Sequence, residues 1–226
     1  MAFELKERNT QPPVGYKHIP MKMIFDIKIY FTRKARLVAE GHKTNPPISL
    51  TYSMVFRDSV RMAFLIPPTN NLNIMMAGIG NAHLNAKTEE RVYAIAGPEF
   101  GDADEGKIAV IVQALYGLKS SGGAAWQAHF ASTLRDIGFI PSYADPDMWY
   151  REATSEESTM DHYEYILVHV DYILCIAKDP AKIINSFAEP PYLYRLKDVG
   201  PPTIYVGAKI SRHQLNNDRE TWFISA

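Results

Sequence analysis

The sequence has one cysteine, no long apolar run and almost no net charge. Because Cys175 is the only cysteine among 226 residues, no intrachain disulfide can form, and we expect a reducing compartment. No stretch approaches the roughly 18 consecutive apolar residues that a membrane-spanning helix needs, so we expect no membrane partner. The N-terminal residues MAFELKERNTQPP lack an apolar core, which argues against a secretory signal. These absences predict an intracellular globular protein.

The net charge of −1 gives no sign of a nucleic-acid-binding protein, but the charges are unevenly distributed. Seven basic residues and two acids lie between Lys17 and Lys43, whereas six acids and one arginine lie between Thr88 and Gly106. A basic segment in a neutral chain predicts one surface that faces an anion. A solvated charged face explains the pattern equally well, and the charges alone leave both interpretations open.

Apolar periodicity predicts an α+β domain over residues 17–226, preceded by a loose lead-in over residues 1–16 that contains Pro12, Pro13 and Gly15. Alternating or continuous apolar runs predict strands over residues 23–32, 34–41, 71–79, 90–95, the start of 108–118, and 204–210. The strands are interrupted by helical patterns and there are no internal repeats, which is typical of the α+β class.

Helical spacing predicts two longer helices. One covers residues 59–66 and is expected to stop at Pro67 and Pro68. The other covers residues 123–137, where Trp126, Phe130 and Leu134 recur every four positions and Gly138 follows as a C-cap. A shorter helix is predicted after Pro180.

The strongest local feature is YEYILVHVDYILCIA at residues 163–177. Two β-rich runs meet at Val170 and Asp171, which predicts a hairpin with its turn at that pair. Cys175 lies in the second run, and we interpret it as a core side chain rather than a nucleophile.

Six blocks of the sequence occur in the order and approximate spacing of one known family. They are FTRKARLVAEGHKT (31–44), IGNAHLNA (79–86), ALYGLKSS (114–121), ADPDMWYR (144–151), YEYILVHVDYILCIA (163–177) and IYVGAKI (204–210). From about residue 20 onward the chain resembles the reverse-transcriptase domain (an RNA-dependent DNA polymerase) of copia-type long-terminal-repeat retrotransposons. ALYGLK followed by a tryptophan, and an apolar hairpin with a VD pair at its turn, carry most of that resemblance.

The resemblance implies the fingers and palm of a right-hand polymerase, with an antiparallel palm sheet that carries a catalytic-type hairpin and packs against helices. It implies nucleotidyl transfer onto a primer, with RNA or DNA template–primer and deoxynucleoside triphosphates as partners. Three carboxylates of the family hold two Mg²⁺ ions. It also implies that the chain is one piece of a retrotransposon polyprotein, and a location in cytoplasmic particles and then the nucleus.

The sequence departs from the family at the acids. Gly78 stands where the family has an aspartate before IGNA, and Tyr172 stands where it has the second acid of the hairpin turn. Asp171 is the one surviving acid and the one expected metal ligand. One extra residue near Gly122 and Gly123 also lengthens the segment before Trp126. A single carboxylate cannot bridge two Mg²⁺ ions, so we expect activity lowered by on the order of three or more decades.

Four other positions match expected nucleotide-binding residues. Lys34 and Arg36 lie two apart on a predicted strand, so both side chains point to one side, and by resemblance they face the triphosphate. His83 takes the place of the aromatic residue that excludes a ribose 2′-hydroxyl. Lys119 would touch template or nucleotide, and a plain surface lysine is an equally good interpretation.

Two alternatives to a polymerase stay open. One is a non-catalytic nucleic-acid-binding remnant that uses the basic segment at residues 17–43, and the other is a pseudogene product without function.

Asp145 and Asp147 could form a general acid/base pair, but Pro146 between them favours a turn.

Overall fold

The computed structural model describes residues 2–27, 31–43, 53–119, 123–153, 162–214 and 220–225. The strands in these ranges are β1 (Phe3–Leu5), β2 (Lys17–His18), β3 (Met21–Ile27), β4 (Arg33–Ala39), β5 (Asn73–Ile79), β6 (Val92–Ile95), β7 (Ile108–Ile111), β8 (Ile140–Pro141), β9 (Met148–Glu152), β10 (Tyr163–His169), β11 (Tyr172–Ala177), β12 (Leu196–Gly200), β13 (Ile204–Tyr205), β14 (Ala208–Gln214) and β15 (Glu220–Ser225). The α-helices are α1 (Arg57–Asn70), α2 (Gly123–Asp136) and α3 (Pro180–Ser186).

The chain divides into two compact units. The first comprises Met1–Tyr52 and Asn81–Phe130, and the second comprises Ser53–Gly80 and Ala131–Ala226. Sheets dominate both units and helices are fewer, which agrees with the predicted α+β class. None of the described helices has the length and apolar character to cross a membrane.

The first unit contains a four-stranded sheet in the order β1-β7-β6-β2, in which only the short β2–β6 pair is parallel. Its small core brings Ile19 and Ala39 against Ile111, Leu115 and Leu118. The sequence predicts a loose lead-in over residues 1–16. The structure differs at β1, because its backbone pairs with β7 and Phe3 packs against this core.

Strands β3 and β4 form a separate two-stranded hairpin in the first unit, where the sequence predicts strands over residues 23–32 and 34–41 without predicting their pairing. The turn of the ALYGL block lies against the end of β4, where the Ala39 amide donates to the Tyr116 carbonyl at 2.8 Å. Gly117 there has φ +93°, and a Cβ atom on it would overlap the Ala39 carbonyl; a Cβ atom on Gly41 would likewise overlap the Gly117 carbonyl. This contact between two backbones requires glycine at both positions.

The second unit is built on an antiparallel six-stranded sheet in the order β12-β5-β11-β10-β9-β8. The central strands bury both faces. Leu174 and Ile176 of β11 join a core cluster with Phe64 of α1, while the alternate residues Ile173 and Cys175 are buried on the opposite face. Helix α3 contacts β5 and β11. The predicted hairpin of residues 163–177 is confirmed, and it is the most buried part of this unit.

Two predicted elements are wrong in detail. Helix α1 continues through Pro67 and Pro68 to Asn70. A proline removes its own N–H but keeps its carbonyl, and Pro67 O accepts the amides of Asn71 and Leu72 beyond the helix end. The single strand predicted over residues 204–210 is two strands, β13 and β14, joined at Val206 and Gly207, which both have positive φ (+51° and +77°). Such a pair forms the tight turn of a hairpin.

Helix α2 agrees with its prediction. Trp126 and Phe130 are buried with their rings stacked at 5.2 Å, and Leu134 is buried further along the same face. Gly138 follows with φ +88°, the left-handed conformation of a C-cap glycine. Cys175 is fully buried, and burial raises the pKa of its thiol far above the ordinary range, so it is a core side chain as predicted.

Candidate functional site

Three strands of the second unit meet beside the turn of the buried hairpin. Tyr172, the first residue of β11, pairs with Gly78 of β5, and Gly78 pairs on its other side with Lys197 of β12. Val170 turns the chain with φ +56°, and the Asp171 carbonyl accepts the Ile79 amide at 2.7 Å. The ladder thus brings together Gly78, Asp171 and Tyr172, which the sequence predicts as the acid positions, and adds Lys197.

Asp171 is bound by a lysine. The Lys197 ammonium donates to Asp171 Oδ2 at 2.6 Å, and the side chains are 38% and 29% exposed. The same ammonium lies 4.9 Å from the centroid of the Tyr172 ring. Desolvation acts to lower the pKa of Lys197, but the hydrogen bond and the charge of Asp171 outweigh it and raise that pKa overall. The lysine therefore stays charged at neutral pH.

Tyr172 is held by a second acid. Its hydroxyl donates to Asp198 Oδ2 at 2.9 Å. Burial, followed by this hydrogen bond, raises the pKa of the Tyr172 phenol above its ordinary value of 10.0. The phenol therefore stays protonated, and it serves as a hydrogen-bond donor in the place where the resemblance implies a carboxylate.

Lys197 also fills the space beside Gly78. A Cβ atom at position 78 would lie 2.6 Å from Lys197 Cε and 2.9 Å from its Cγ. The next nearest atom, Tyr172 Cε1, would lie at 3.0 Å. The lysine stem therefore occupies the volume that any side chain at position 78 would need.

These residues do not fit the pair of Mg²⁺ ions that the resemblance implies. Mg²⁺ requires oxygen ligands in near-octahedral order, whereas Gly78 offers no side-chain oxygen and Asp171 already accepts from an ammonium. Among the described ranges, no group of three or more His, Cys, Asp or Glu residues is placed to hold a metal ion.

Lys34 and Arg36 lie on β4 in the first unit, so they belong to a different unit from the acid positions. The register places Lys34 opposite Asp26 of β3, and Arg36 Nη1 lies 3.6 Å from Asp26 Oδ2. Strand geometry puts these three side chains on one face of the hairpin, where the acid partly offsets the two basic groups.

His83 and Lys119 also lie in the first unit, and both are half-buried. His83 belongs to a short 3-10 turn, Ala82–Asn85, and its ring meets that of Tyr116 edge-on at 5.5 Å. The extra residue expected near Gly122 and Gly123 falls partly on residues 120–122, which lie outside the described ranges, while Gly123 begins α2.

Sequence reasoning missed Lys197 and Asp198. Neither belongs to a block that carries the resemblance, and their role depends on the pairing of β12 with β5, two segments far apart in the chain.

The turn expected at Asp145 and Asp147 is present. Asp145 is buried and accepts the amides of Phe56 at 2.8 Å and Asp147 at 3.1 Å, so its carboxylate fixes the chain path there.

The family described as reverse transcriptase (RNA-dependent DNA polymerase) matches residues 8–218, nearly the whole chain. The chain belongs to this family. The match includes every block on which the resemblance rests, together with β12 and its Lys197.

Similar curated proteins confirm a copia-type domain. The chain is 28% identical over 183 residues to a retrovirus-related Pol polyprotein from transposon RE1 of Arabidopsis thaliana. It is 25% identical over 221 residues to the retrovirus-related Pol polyprotein from transposon TNT 1-94 of Nicotiana tabacum. These alignments cover 79% and 93% of this chain but only 12% and 16% of the relatives. A putative transposon Ty5-1 protein of Saccharomyces cerevisiae is 29% identical over 140 residues, or 62% of this chain and 42% of that protein.

Proposed function

We propose that this chain is the fingers and palm of a copia-type reverse transcriptase in which nucleotidyl transfer has been lost. The observation that carries the proposal is that Asp171 stands alone and is bound by a lysine. It is the one acid left at the three expected positions, and its carboxylate is bound by Lys197 at 2.6 Å.

The palm assignment is supported by the second unit. An antiparallel sheet carries a buried hairpin whose turn presents Asp171, and helices α1 and α3 contact the sheet. The fingers assignment is supported by the first unit, which contains the basic hairpin β3–β4. The names of the polyprotein relatives support a domain that belongs to a larger Pol product. On the family resemblance alone, the proposal extends to RNA or DNA template–primer and nucleoside triphosphates as partners, and to a location in the cytoplasm or nucleus.

Phosphoryl transfer is accelerated mainly by cations that neutralise developing negative charge on the phosphates, and a bound metal ion contributes several kcal/mol of this stabilisation. Gly78 and a protonated Tyr172 provide no ligands for such ions, and each loss of about 1.4 kcal/mol costs a factor of ten in rate. We therefore expect a rate lower by on the order of a thousandfold or more than that of an intact family site.

The test is extension of a DNA primer on an RNA template by the purified chain, with Mg²⁺ or Mn²⁺, beside the Asp171→Ala variant. We expect no extension from either protein. Extension that disappears in Asp171→Ala would refute the proposal, because it would require a working site built from other acids. Circular dichroism of both proteins distinguishes an inactive fold from an unfolded one.

The Gly78→Asp/Tyr172→Asp variant asks whether the scaffold still supports catalysis. Extension by this variant alone would locate the loss of activity at these two positions. If the variant folds and stays inactive, the defect extends beyond them, and the lengthened segment before α2 is the next region to restore.

A second function is favoured by the hairpin β3–β4. Its basic residues Lys34 and Arg36 lie on one face of the strand pair, and Phe25, which is 77% exposed, lies opposite Ala35 on the other face. Basic groups along one face can contact the phosphates of a nucleic acid whatever its base sequence. A chain without catalysis that still binds nucleic acid would show salt-dependent affinity, whereas a product without function would not.

A further inference from the structure

We infer that the Lys197 ammonium acts as a built-in cation at Asp171, in the place where the family's chemistry needs a divalent metal ion. The inference deepens the proposed function and rests on it only in taking Gly78 and Tyr172 as former acid positions. It concerns which cation the site accepts. Two observations carry it. The Lys197 ammonium donates a hydrogen bond to Asp171, and the Lys197 side chain packs where a Cβ atom at position 78 would lie.

The glycine at position 78 makes room for the lysine. Cross-strand pairing sets the Lys197 backbone directly opposite Gly78. With a Cβ atom at position 78 only 2.6 Å from Lys197 Cε, a side chain there and the present lysine conformer exclude each other. The glycine at position 78 and the present conformer of Lys197 therefore depend on each other.

The surroundings favour a single positive charge. The ammonium lies 2.6 Å from Asp171 Oδ2 and 4.9 Å from the centroid of the Tyr172 ring, whose face attracts cations. Asp198 adds a second negative charge on the same strand as Lys197 and accepts from the Tyr172 hydroxyl. One ammonium satisfies this set, whereas Mg²⁺ would need about six oxygen ligands.

Tethering gives the lysine an advantage over a free ion. Lys197 is held beside Asp171 by the β12–β5 ladder, so its approach loses no translational freedom, and its effective concentration is high. A divalent ion would have to displace the ammonium and would then meet few carboxylates. The expected result is a site indifferent to divalent cations and held together as an internal ion pair.

The test measures Mn²⁺ binding to the full chain by electron paramagnetic resonance, with Mg²⁺ as competitor. Five proteins are compared: the parent chain, Asp171→Asn, Gly78→Asp, Gly78→Asp/Lys197→Met, and the last variant with Asp171→Asn added. We expect no Asp171-dependent binding in the parent. In Gly78→Asp the Lys197 stem has to leave its present conformer, but strand β12 still holds its ammonium within reach of the two acids. Removing that charge should tighten Mn²⁺ binding by about tenfold or more, since a unit charge a few ångström away opposes the ion strongly.

Three results decide the matter. Binding that tightens on loss of Lys197 and disappears with Asp171→Asn supports the inference. Equal Mn²⁺ affinity in Gly78→Asp and Gly78→Asp/Lys197→Met would overturn it, as would Asp171-dependent binding in the parent. Lys107→Met is the matched control, because Lys107 also pairs with an aspartate at 2.7 Å, and it should leave Mn²⁺ binding unchanged.

A second measurement needs no change at position 78. The melting temperature of the parent chain should be the same with Mg²⁺ and with sodium chloride at equal ionic strength. The melting temperature of Lys197→Met should be lower than that of the parent, because Asp171 loses the Lys197 ammonium. A parent that is stabilised by Mg²⁺, or a Lys197→Met variant as stable as the parent, would contradict the inference. Primer extension tests the proposed inactivity separately, since it does not depend on how Lys197 responds.

Discussion

Two hairpins of this chain differ sharply in how deeply their side chains are buried. In β10–β11 of the second unit, Ile166, Leu167 and Leu174 are fully buried and both faces are covered. In β3–β4 of the first unit, Phe25 is 77% exposed and Ile27 is 65% exposed. One hairpin is fixed by packing on all sides, and the other depends largely on its own backbone ladder.

The two hairpins also differ in what their sequences are needed for. The buried hairpin keeps its apolar sequence because folding requires it, whatever stands at its turn. The exposed hairpin contributes less to the core, and its basic residues are the ones proposed above to contact nucleic acid. Experiments that change one hairpin and spare the other test this division directly.

The largest expected effect is on stability. Leu174→Ala should lower the free energy of unfolding by about 2–5 kcal/mol, because it leaves a cavity in the core cluster that Leu174 shares with Phe64. Phe25→Ala in the exposed hairpin should change the free energy of unfolding by no more than about 0.5 kcal/mol. Urea denaturation followed by circular dichroism measures both. Similar losses in the two variants would remove the contrast between the hairpins.

A smaller effect is expected on nucleic-acid affinity. If the basic face of β3–β4 contacts phosphates, Lys34→Ala/Arg36→Ala should weaken binding to a fluorescent RNA–DNA primer–template and reduce the slope of log affinity against log salt by about 1 per charge removed. Arg61→Ala is the control, because Arg61 is an exposed arginine on α1. An unchanged slope in the double variant would mean that binding, if any, uses another surface.

The smallest effect concerns pH. Burial lowers the pKa of His169 below its ordinary value of 6.5, although the charges of Asp171 and Asp147 partly oppose this. The folded chain therefore resists protonation of His169 more than the unfolded chain does. Stability should be intact above about pH 6.5 and fall as the pH drops towards the lowered pKa.

His169→Gln should flatten this part of the pH profile. Because burial also lowers the pKa of His129, which remains in the variant, the quantity to compare is the difference between the two proteins. Unfolding free energies measured at intervals from about pH 7 to pH 5 give that difference. Parallel profiles would show that His169 does not couple folding to pH.

The sequence predicted elements whose signals are local. The hairpin turn at Val170 and the stripe of Trp126, Phe130 and Leu134 follow from periodicity within one segment, and both are confirmed. The break at Val206 was missed, because a valine in the left-handed region carries no turn signal of its own.

The candidate site was harder to predict than the fold. The positions of Gly78, Asp171 and Tyr172 could be found from the family resemblance, but their surroundings could not. The partner of Asp171 depends on strand β12 pairing with β5, a choice made by the whole sheet. Whether Lys34 and Arg36 contact a nucleotide stays a prediction.

The contact between Gly41 and Gly117 bears on how such a chain can be traced through evolution. Each glycine lies where a methyl group would overlap the other segment's backbone. A larger residue at either position would therefore destabilise the fold. If nucleotidyl transfer has been lost, as proposed, we expect such positions to change more slowly than those that served only the reaction. The ALYGL block would then act as a marker of ancestry, legible in descendants whose chemistry has long since disappeared.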